Sequence, residues 1–392
     1  MQPQDKTSRH LAPDTMPERV AAVILAAGLS SRMGHCKPLL PLGGATALER
    51  VVGLFKAAGV AEVLVVTGHC AGELGPLIAG LGARAVHNPD YQQGMFSSVL
   101  AGAAALGQGA GAFFLLPADM PLVRPATLLH LAQAWEDSGA AVAHPCFLGQ
   151  RGHPPLISAR LLPGLMAWPG QGGLRGYLES QAGPSLMVEV PDQGVLRDMD
   201  HPQDYEEMQA RWQRRQVPGP REVDALLGPV LGVPPKVRQH CRAVATVALA
   251  LGQALLAAGQ PLDLEVLETA ALLHDLAKGQ PRHAQAGGRL LRVWGWEAAA
   301  RAVETHMDIE PLAAGPPGEA ELLYLADKLV EGATLVGLDE RFAAKLARHG
   351  ADPVLAGAIQ RRWHNACAIQ ARLEQASGRA LGDILAGLAA TS

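Results

Sequence analysis

Two hydrophobic grammars divide this chain. From residue 19 to about 210, short apolar runs alternate with segments whose apolar residues recur every three or four positions. "VAAVILAA", "EVLVVTG", "ARAVHN", "AFFLLPAD" and "AAVAHP" read as strands. "ATALERVVGLFKAAG", "FSSVLAGAAALGQ" and "ATLLHLAQAWEDSG" read as the helices between them. Such alternation predicts a doubly wound α/β fold with a mostly parallel, Rossmann-like sheet covered on both faces. Around "RRQVPGPREVDALLGPVLGVPPK", prolines and glycines cluster, and a linker or domain seam is expected. Beyond it only helical patterns follow, so the second half is expected to be all-α and free of strands. The expected boundaries are a disordered tail over 1–17, an α/β domain over 18–213, a linker over 214–235 and a helical domain over 236–392.

Composition narrows the function classes. The 392 residues are 48% hydrophobic, 18% charged and only 4% aromatic, with a formal net charge of −4. No long basic run and few aromatics argue against a nucleic-acid partner. Five dispersed cysteines without a CxxC pair suit a reducing cytoplasm rather than a disulfide framework. The polar first residues lack the apolar core of a signal peptide. The most membrane-like stretch, residues 243–259, is short for a bilayer span and carries Gln253, so a buried Ala/Leu helix is expected and no membrane partner.

Candidate chemistry in the first half lies where strands end, which is where open parallel sheets bind ligands. "LAAGLSSRMGHCKPLL" leaves a buried strand and places Arg32 and Lys37 among glycines including Gly28. Inward-turned N–H groups with two cations suit a phosphate chain, although an ordinary strand-to-helix turn fits the same spacing. The stretch is neither a Walker A loop nor a GxGxxG fingerprint. Asp119, at the exit of an apolar strand, suits Mg²⁺ or a helix cap. Asp198 and Asp200 precede another helix, and one of them could join Asp119 on the metal.

In order, "LAAGLSSRMGHCK", "HNPDYQQGMFSSVLAG", "LLPADMPLV", "RGHPPLIS" and "DMDHPQDYEEM" resemble the MobA-like nucleotidyltransferases, in the branch of the molybdenum cofactor cytidylyltransferases. The resemblance covers roughly residues 19 to 210. It implies Mg²⁺-dependent transfer of CMP from CTP to the phosphate of molybdopterin, or of the molybdenum cofactor, with release of pyrophosphate. It also implies that Leu25, Ala26, Ala27, Gly28, Arg32 and Lys37 hold the triphosphate. Thr67, Gly68, Gly94, Ser97 and Ser98 would help hold the nucleotide, His153 would line the acceptor side, and Asp119 with Asp200 would bind Mg²⁺. A molybdoenzyme receiving the cofactor is the candidate protein partner. Another nucleotide such as GTP, another phosphorylated acceptor, or a cofactor chaperone or insertion factor are the competing readings.

In the second half, "ALLHDLAKG" sets His274 and Asp275 side by side within an apparent helix, with His240 upstream and Asp327 downstream. A mixed imidazole and carboxylate set suits Mn²⁺, Fe²⁺, Zn²⁺ or Mg²⁺, and an Asp inside "LLYLADKLV" needs a partner if it is buried. Taken singly, each His also fits an ordinary helix residue. The ordered pattern resembles the HD-domain phosphohydrolases over about residues 222 to 350. That resemblance implies metal-dependent hydrolysis of a phosphate ester or anhydride, with His283 and His306 as candidates for a second metal and Lys278 for substrate phosphate. A regulatory, binding-only role for this half is the alternative.

Overall fold

The computed structural model describes residues 15–29, 35–181, 183 and 185–389. The chain forms two compact units, divided between Arg215 and Gln216. Arg32 and the first fourteen residues lie outside the described residues.

The first unit is built on strands β1 Val20–Ala26, β2 Glu62–Thr67, β3 Arg84–His87, β4 Ala112–Pro117, β5 Val142–Phe147, β6 Gln150–Arg151, β7 Leu156–Ser158 and β8 Leu186–Glu189. They form one sheet in the order β8-β5-β7-β4-β1-β2-β3, with β6 paired to β5. β1 runs parallel to both β2 and β4, whereas β7 is antiparallel between β4 and β5. Six of the seven residues of β1 are buried, which explains its uninterrupted apolar reading. Alternate residues serve opposite faces. Ile24, Val65 and Phe114 enter one core with Leu48, Phe55 and Leu74, whereas Val23, Leu64 and Phe113 enter another with Val99. Helices α1 Ala47–Ala57, α2 Ala71–Gly80, α3 Met95–Ala104, α4 Pro125–Ser138, α5 Leu162–Met166, α6 Gly173–Ser180 and α7 Pro202–Gln213 complete the unit. The chain leaves β1 toward β2 on one side and returns to β4 on the other. The carboxyl ends of β1 and β4 therefore flank a topological switch point.

Met16 corrects the expected tail: it is buried in the core, so fixed structure begins before residue 18. The segment expected to be a linker is also folded in part. Pro220–Ala225 forms helix α8 and continues into a π-helical turn over Leu226–Val230, with Val223, Ala225 and Leu226 buried. Pro220 and Pro235 sit at helix starts, where the missing N–H is not needed, whereas Pro229 lies inside the π-helical turn.

The second unit comprises α8 with α9 Pro235–Ala257, α10 Leu264–Leu273, α11 His283–Val293, α12 Glu297–Glu304, α13 Glu319–Lys328, α14 Leu338–His349, α15 Pro353–Ser377 and α16 Leu381–Ala389. Among the described residues, α9 is the one helix long and apolar enough to cross a membrane, and it packs against α10, α13, α15 and α16. Its buried stripe runs from His240 through Val244, Ala248 and Leu251 to Leu255 at helical spacing. The expectation of no strand here is corrected by a two-stranded hairpin, Val330–Glu331 with Thr334–Leu335, whose turn carries Gly332. Two-residue strands are too short to leave an alternating signal in the sequence.

Candidate active sites

At the switch point a cleft of about 370 Å³ opens between the end of β1 and the end of β4. Leu25, Ala26, Ala27 and Gly28 form one wall, and Pro117, Ala118 and Asp119 form the other. The Ala118 N–H donates to Leu25 O at 2.9 Å and locks the two walls in register. Lys37 reaches across the cleft. Its Nζ lies 2.7 Å from Asp200 Oδ1 and 3.4 Å from Asp119 Oδ2, so one ammonium holds two carboxylates from separate loops. Burial raises the pKa of Asp119, and Lys37 opposes that shift. Asp119 is not a helix cap: the next helix begins at Pro125, with Arg124 at its N-cap.

The cleft includes Gly94 and Ser98 together with Tyr91, Gln92 and Met95, which sequence reasoning did not single out. Thr67, Gly68 and Ser97 are not in its wall: Thr67 ends β2, Gly68 follows it, and Ser97 stands in the first turn of α3. Gly68 makes a close approach possible, since a Cβ there would meet Tyr91 Cβ at 2.7 Å and Ala27 O at 2.8 Å. Ser97 Oγ donates to the carbonyls of Asp90 and Gly94, both at 2.9 Å. Asn88 was also missed. Buried after β3, it donates to Ser97 Oγ at 2.9 Å and Ser98 Oγ at 3.0 Å, and its Oδ1 accepts the Asp90 N–H at 2.9 Å. The Asn-Pro pair at the end of a strand is the signal that could have found it.

The segment before Asp200, a 3-10 turn over Gln193–Leu196 followed by irregular chain, is held by Asp192, which is fully buried. It accepts from Arg124 N at 2.8 Å, Thr127 Oγ1 at 2.6 Å and Gly194 N at 2.9 Å. His153 lies beside the cleft rather than in it, in the wall of an adjoining cavity of about 470 Å³ that shares Leu25, Met95 and Pro117.

The second unit brings the six expected ligands together: His240, Asp275, His283, His306 and Asp327 line one cavity, and His274 is buried against them. α10 ends at Leu273, so His274 and Asp275 stand on the turn after the helix rather than within it. Leaving the helix frees both side chains to face the same point, which the 100° spacing of neighbouring helical residues would oppose. His240 Nδ1 bonds Gly332 O at 2.8 Å, His274 Nδ1 bonds Ala271 O at 2.8 Å, and His306 Nδ1 bonds Val303 O at 2.7 Å. A carbonyl accepts only from a protonated nitrogen, so in each neutral ring Nε2 keeps its lone pair.

These Nε2 atoms converge on two carboxylates. His240 Nε2 is 3.3 Å from Asp327 Oδ1, and His274 Nε2 is 3.8 Å from the same oxygen. The two lie 3.9 and 3.7 Å from Asp275 Oδ2. Around the other oxygen, Asp275 Oδ1, stand His283 Nε2 at 3.2 Å and His306 Nε2 at 3.7 Å. Two donor groups result, one of His240, His274 and Asp275 and one of Asp275, His283 and His306, and each has a metal-holding spacing. His274 Nε2 is buried without any hydrogen-bond partner, and burial pushes this ring down to about 4. Burial would raise Asp275, but the facing His283 and His306 rings, with His274 and Lys278, outweigh it and hold its carboxyl well below the usual range.

The cavity over this cluster measures about 640 Å³. Lys278 lines it and reaches Asp275 Oδ2 at 2.5 Å, while Lys328 reaches Asp327 Oδ2 at 2.7 Å. Lys236, Arg341, Lys345 and Arg362 also line it, and none of these was evident in the sequence. Lys236 lies on α9, Arg341 and Lys345 on α14 and Arg362 on α15, and only the fold collects them. Lys328, adjacent to Asp327, is the one that proximity could have suggested.

Comparison with known proteins finds a family match for each unit. The MobA-like NTP transferase domain matches residues 22–185, and the HD domain matches residues 237–331. The molybdenum cofactor cytidylyltransferase of Escherichia coli (strain K12) is 31% identical over 189 residues, 47% of this chain and 93% of that protein. The bifunctional IPC transferase and DIPP synthase of Rubrobacter xylanophilus is 43% identical over 90 residues, and the chain spans 21% of its length. A solved nucleotidyl transferase from Methanothermobacter thermautotroptrophicus is 29% identical, with 50% of this chain and 99% of that one covered at a TM-score of 0.45. The first unit is thus a nucleotidyltransferase domain. The chain belongs to the MobA-like NTP transferases and carries an HD domain after the transferase domain.

Proposed function

We propose that the first unit transfers CMP from CTP to the phosphate of molybdopterin, or of the molybdenum cofactor, and releases pyrophosphate. The observation that carries this reading is the convergence of Lys37, Asp119 and Asp200 at the switch point, in a chain similar to nearly the whole length of a molybdenum cofactor cytidylyltransferase. Two carboxylates from separate loops fit a hard divalent cation, and a buried Asp119 disfavours staying charged without one. Asp119 and Asp200 would hold Mg²⁺, which neutralises charge on phosphate oxygens when bound.

The chain's own part is positioning. The backbone from Ala27 to Leu29 lines the triphosphate cleft, and Lys37 places a fixed positive charge between its walls. An oxygen of the acceptor phosphate attacks the α-phosphorus, the bond to the β-phosphate breaks, and pyrophosphate leaves. The nucleophile is already an anion, so no side chain need remove a proton. The test incubates the protein with Mg²⁺, molybdopterin and each NTP in turn and follows pyrophosphate. Release with CTP is expected. Release with a sugar phosphate but none with the pterin overturns the reading.

For the second unit we infer a metal-dependent phosphohydrolase. The unpartnered, buried Nε2 of His274 supports it best, because an imidazole with its other nitrogen tied to a carbonyl is oriented for a cation. His240, His274 and Asp327 would hold one ion, His283 and His306 a second, with an oxygen of Asp275 for each. A set this rich in imidazole favours Mn²⁺, Fe²⁺ or Zn²⁺ over Mg²⁺. Such ions supply Lewis acidity toward a phosphoryl group and activate water. Lys278 would bind substrate phosphate. A screen of phosphate esters with added Mn²⁺ tests the assignment, and metal-loaded protein that cleaves none of them supports a regulatory role instead. The free cysteines, with Cys70, Cys146 and Cys241 buried, support the cytoplasm as the compartment.

A further inference from the structure

The cavity beside the nucleotide cleft contains a histidine that neither the fold nor the transfer chemistry uses. Its walls are largely apolar, formed by Phe96, Val99, Leu115 and Leu174 among others. His144, the third residue of β5, is part of that wall and is only 6% exposed, yet neither Nδ1 nor Nε2 has a hydrogen-bond partner. Buried imidazoles that serve only packing are normally satisfied. His130 is the comparison within the same unit: equally buried, it bonds Ala126 O at 2.8 Å. Two idle ring nitrogens in an apolar wall cost stability, and a ligand is the partner that would remove the cost.

The chemistry of the ring limits what that ligand is. Burial and the nearby Arg151 push His144 down to about 4, so at neutral pH the ring offers one donor and one acceptor and no charge. Arg151 lines the same cavity, and its guanidinium has no hydrogen bond or ion pair among the described residues. The cavity therefore combines apolar walls with the imidazoles of His144 and His153 and with two cations, Arg151 and an Arg175 already paired with Glu179 at 2.7 Å. A simple anion would gain nothing from the neutral imidazole of His144.

We propose that His144 and Arg151 determine acceptor specificity, with His144 reading the polar edge of an uncharged planar heterocycle and Arg151 meeting the acceptor's anionic group. This rests on the nucleotidyltransferase reading of the first unit and names the substrate class at its second subsite. A pterin phosphate has that chemistry.

The test measures steady-state kinetics of the full chain with Mg²⁺, CTP and a panel of acceptors, molybdopterin and sugar phosphates, for wild type, His144→Phe and His144→Gln. His144→Phe keeps a planar ring and removes both nitrogens. It is expected to raise the acceptor KM at least tenfold, leave the CTP KM within twofold, and leave Tm equal to or above wild type. His144→Gln, which keeps a donor and an acceptor, is expected to recover part of that loss. An acceptor KM within twofold of wild type for His144→Phe overturns the proposal. So does a lowered Tm with both KM values rising together, because that is the mark of a structural residue. If wild type uses only a non-pterin acceptor, both the molybdenum reading and the heterocycle assignment fall. If it turns over no acceptor at all, the transferase reading and this proposal fall together.

Discussion

The two sites differ in how much of their order exists before any ligand arrives. In the helical unit, three imidazoles are fixed by backbone carbonyls at 2.7–2.8 Å, and their free nitrogens face two buried aspartates. In the sheet unit, the carboxylates stand on loops, Asp200 has a side chain 46% exposed, and a lysine bridges them. The first arrangement has the donor spacing that a resident ion would need. The second keeps a protein cation where an ion and a triphosphate would jointly bring and neutralise charge. The difference suggests that metal content follows the HD cluster, whereas the transferase cleft gains its ion with substrate.

Removing the cluster is the harshest test of that contrast. His274→Ala with Asp275→Ala is expected to abolish bound metal in elemental analysis and phosphate-ester hydrolysis with it, while CTP-dependent pyrophosphate release persists. Unchanged metal content would refute the ligand assignment. The reciprocal change, Asp119→Ala, is expected to lower pyrophosphate release by about a hundredfold or more, since it takes away half of the carboxylate pair. Metal content after dialysis should stay at the wild-type level. If cofactor maturation in cells survives Asp119→Ala, an insertion or chaperone role replaces catalysis as the reading of this unit.

The sequence revealed these two sites unequally. His240, His274, Asp275 and Asp327 were legible because metal chemistry restricts residue type, and a charged residue inside an apolar run invites the question of its partner. The strands of the first unit were legible because burial on both faces leaves unbroken apolar runs. His144 was hidden inside such a run: "AVAHPCF" reads as strand whatever the ring does, and nothing local says that its nitrogens lack partners. Lys345 and Arg362 were hidden for another reason. They occupy ordinary helical positions, and only tertiary packing brings them over the HD cluster. The hairpin at Val330–Leu335 was hidden by its length, yet it supplies Gly332, whose carbonyl fixes His240.

His144 also sharpens the comparison through pH, because it is a buried imidazole whose order depends on no ion. Its pKa in the folded protein is pushed down to about 4, below the 6.5 of a free imidazole. Between those values the unfolded chain binds the extra proton, so stability is retained above about pH 6.5 and lost as pH falls toward 4. The loss attributable to this ring approaches about 3 kcal/mol at the bottom of the window. Arg151 and His153 face the same cavity and add to the repulsion once the ring is charged. Denaturation of the His144→Phe variant at several pH values should show a flatter acid limb than wild type, and parallel limbs would mean that the ring is not held neutral by its surroundings.

The mildest change tests whether the cleft depends on the loop behind it. Asn88→Ala removes two donated hydrogen bonds to Ser97 and Ser98 and one accepted from the Asp90 N–H. Ser98 is buried, so its hydroxyl loses a partner that water cannot readily replace, at a cost of about 1–3 kcal/mol. Ser97 retains the carbonyls of Asp90 and Gly94 and should keep the loop folded. What loosens is the approach of Tyr91 and Gln92 to the cleft, so the KM for nucleotide should rise severalfold with a smaller change in kcat. Bound metal should not change, because the HD ligands are held by backbone carbonyls of their own unit. A lowered Tm with an unaltered nucleotide KM would mean that the loop serves the fold alone, and the transferase cleft would then owe its order to the β1 and β4 walls.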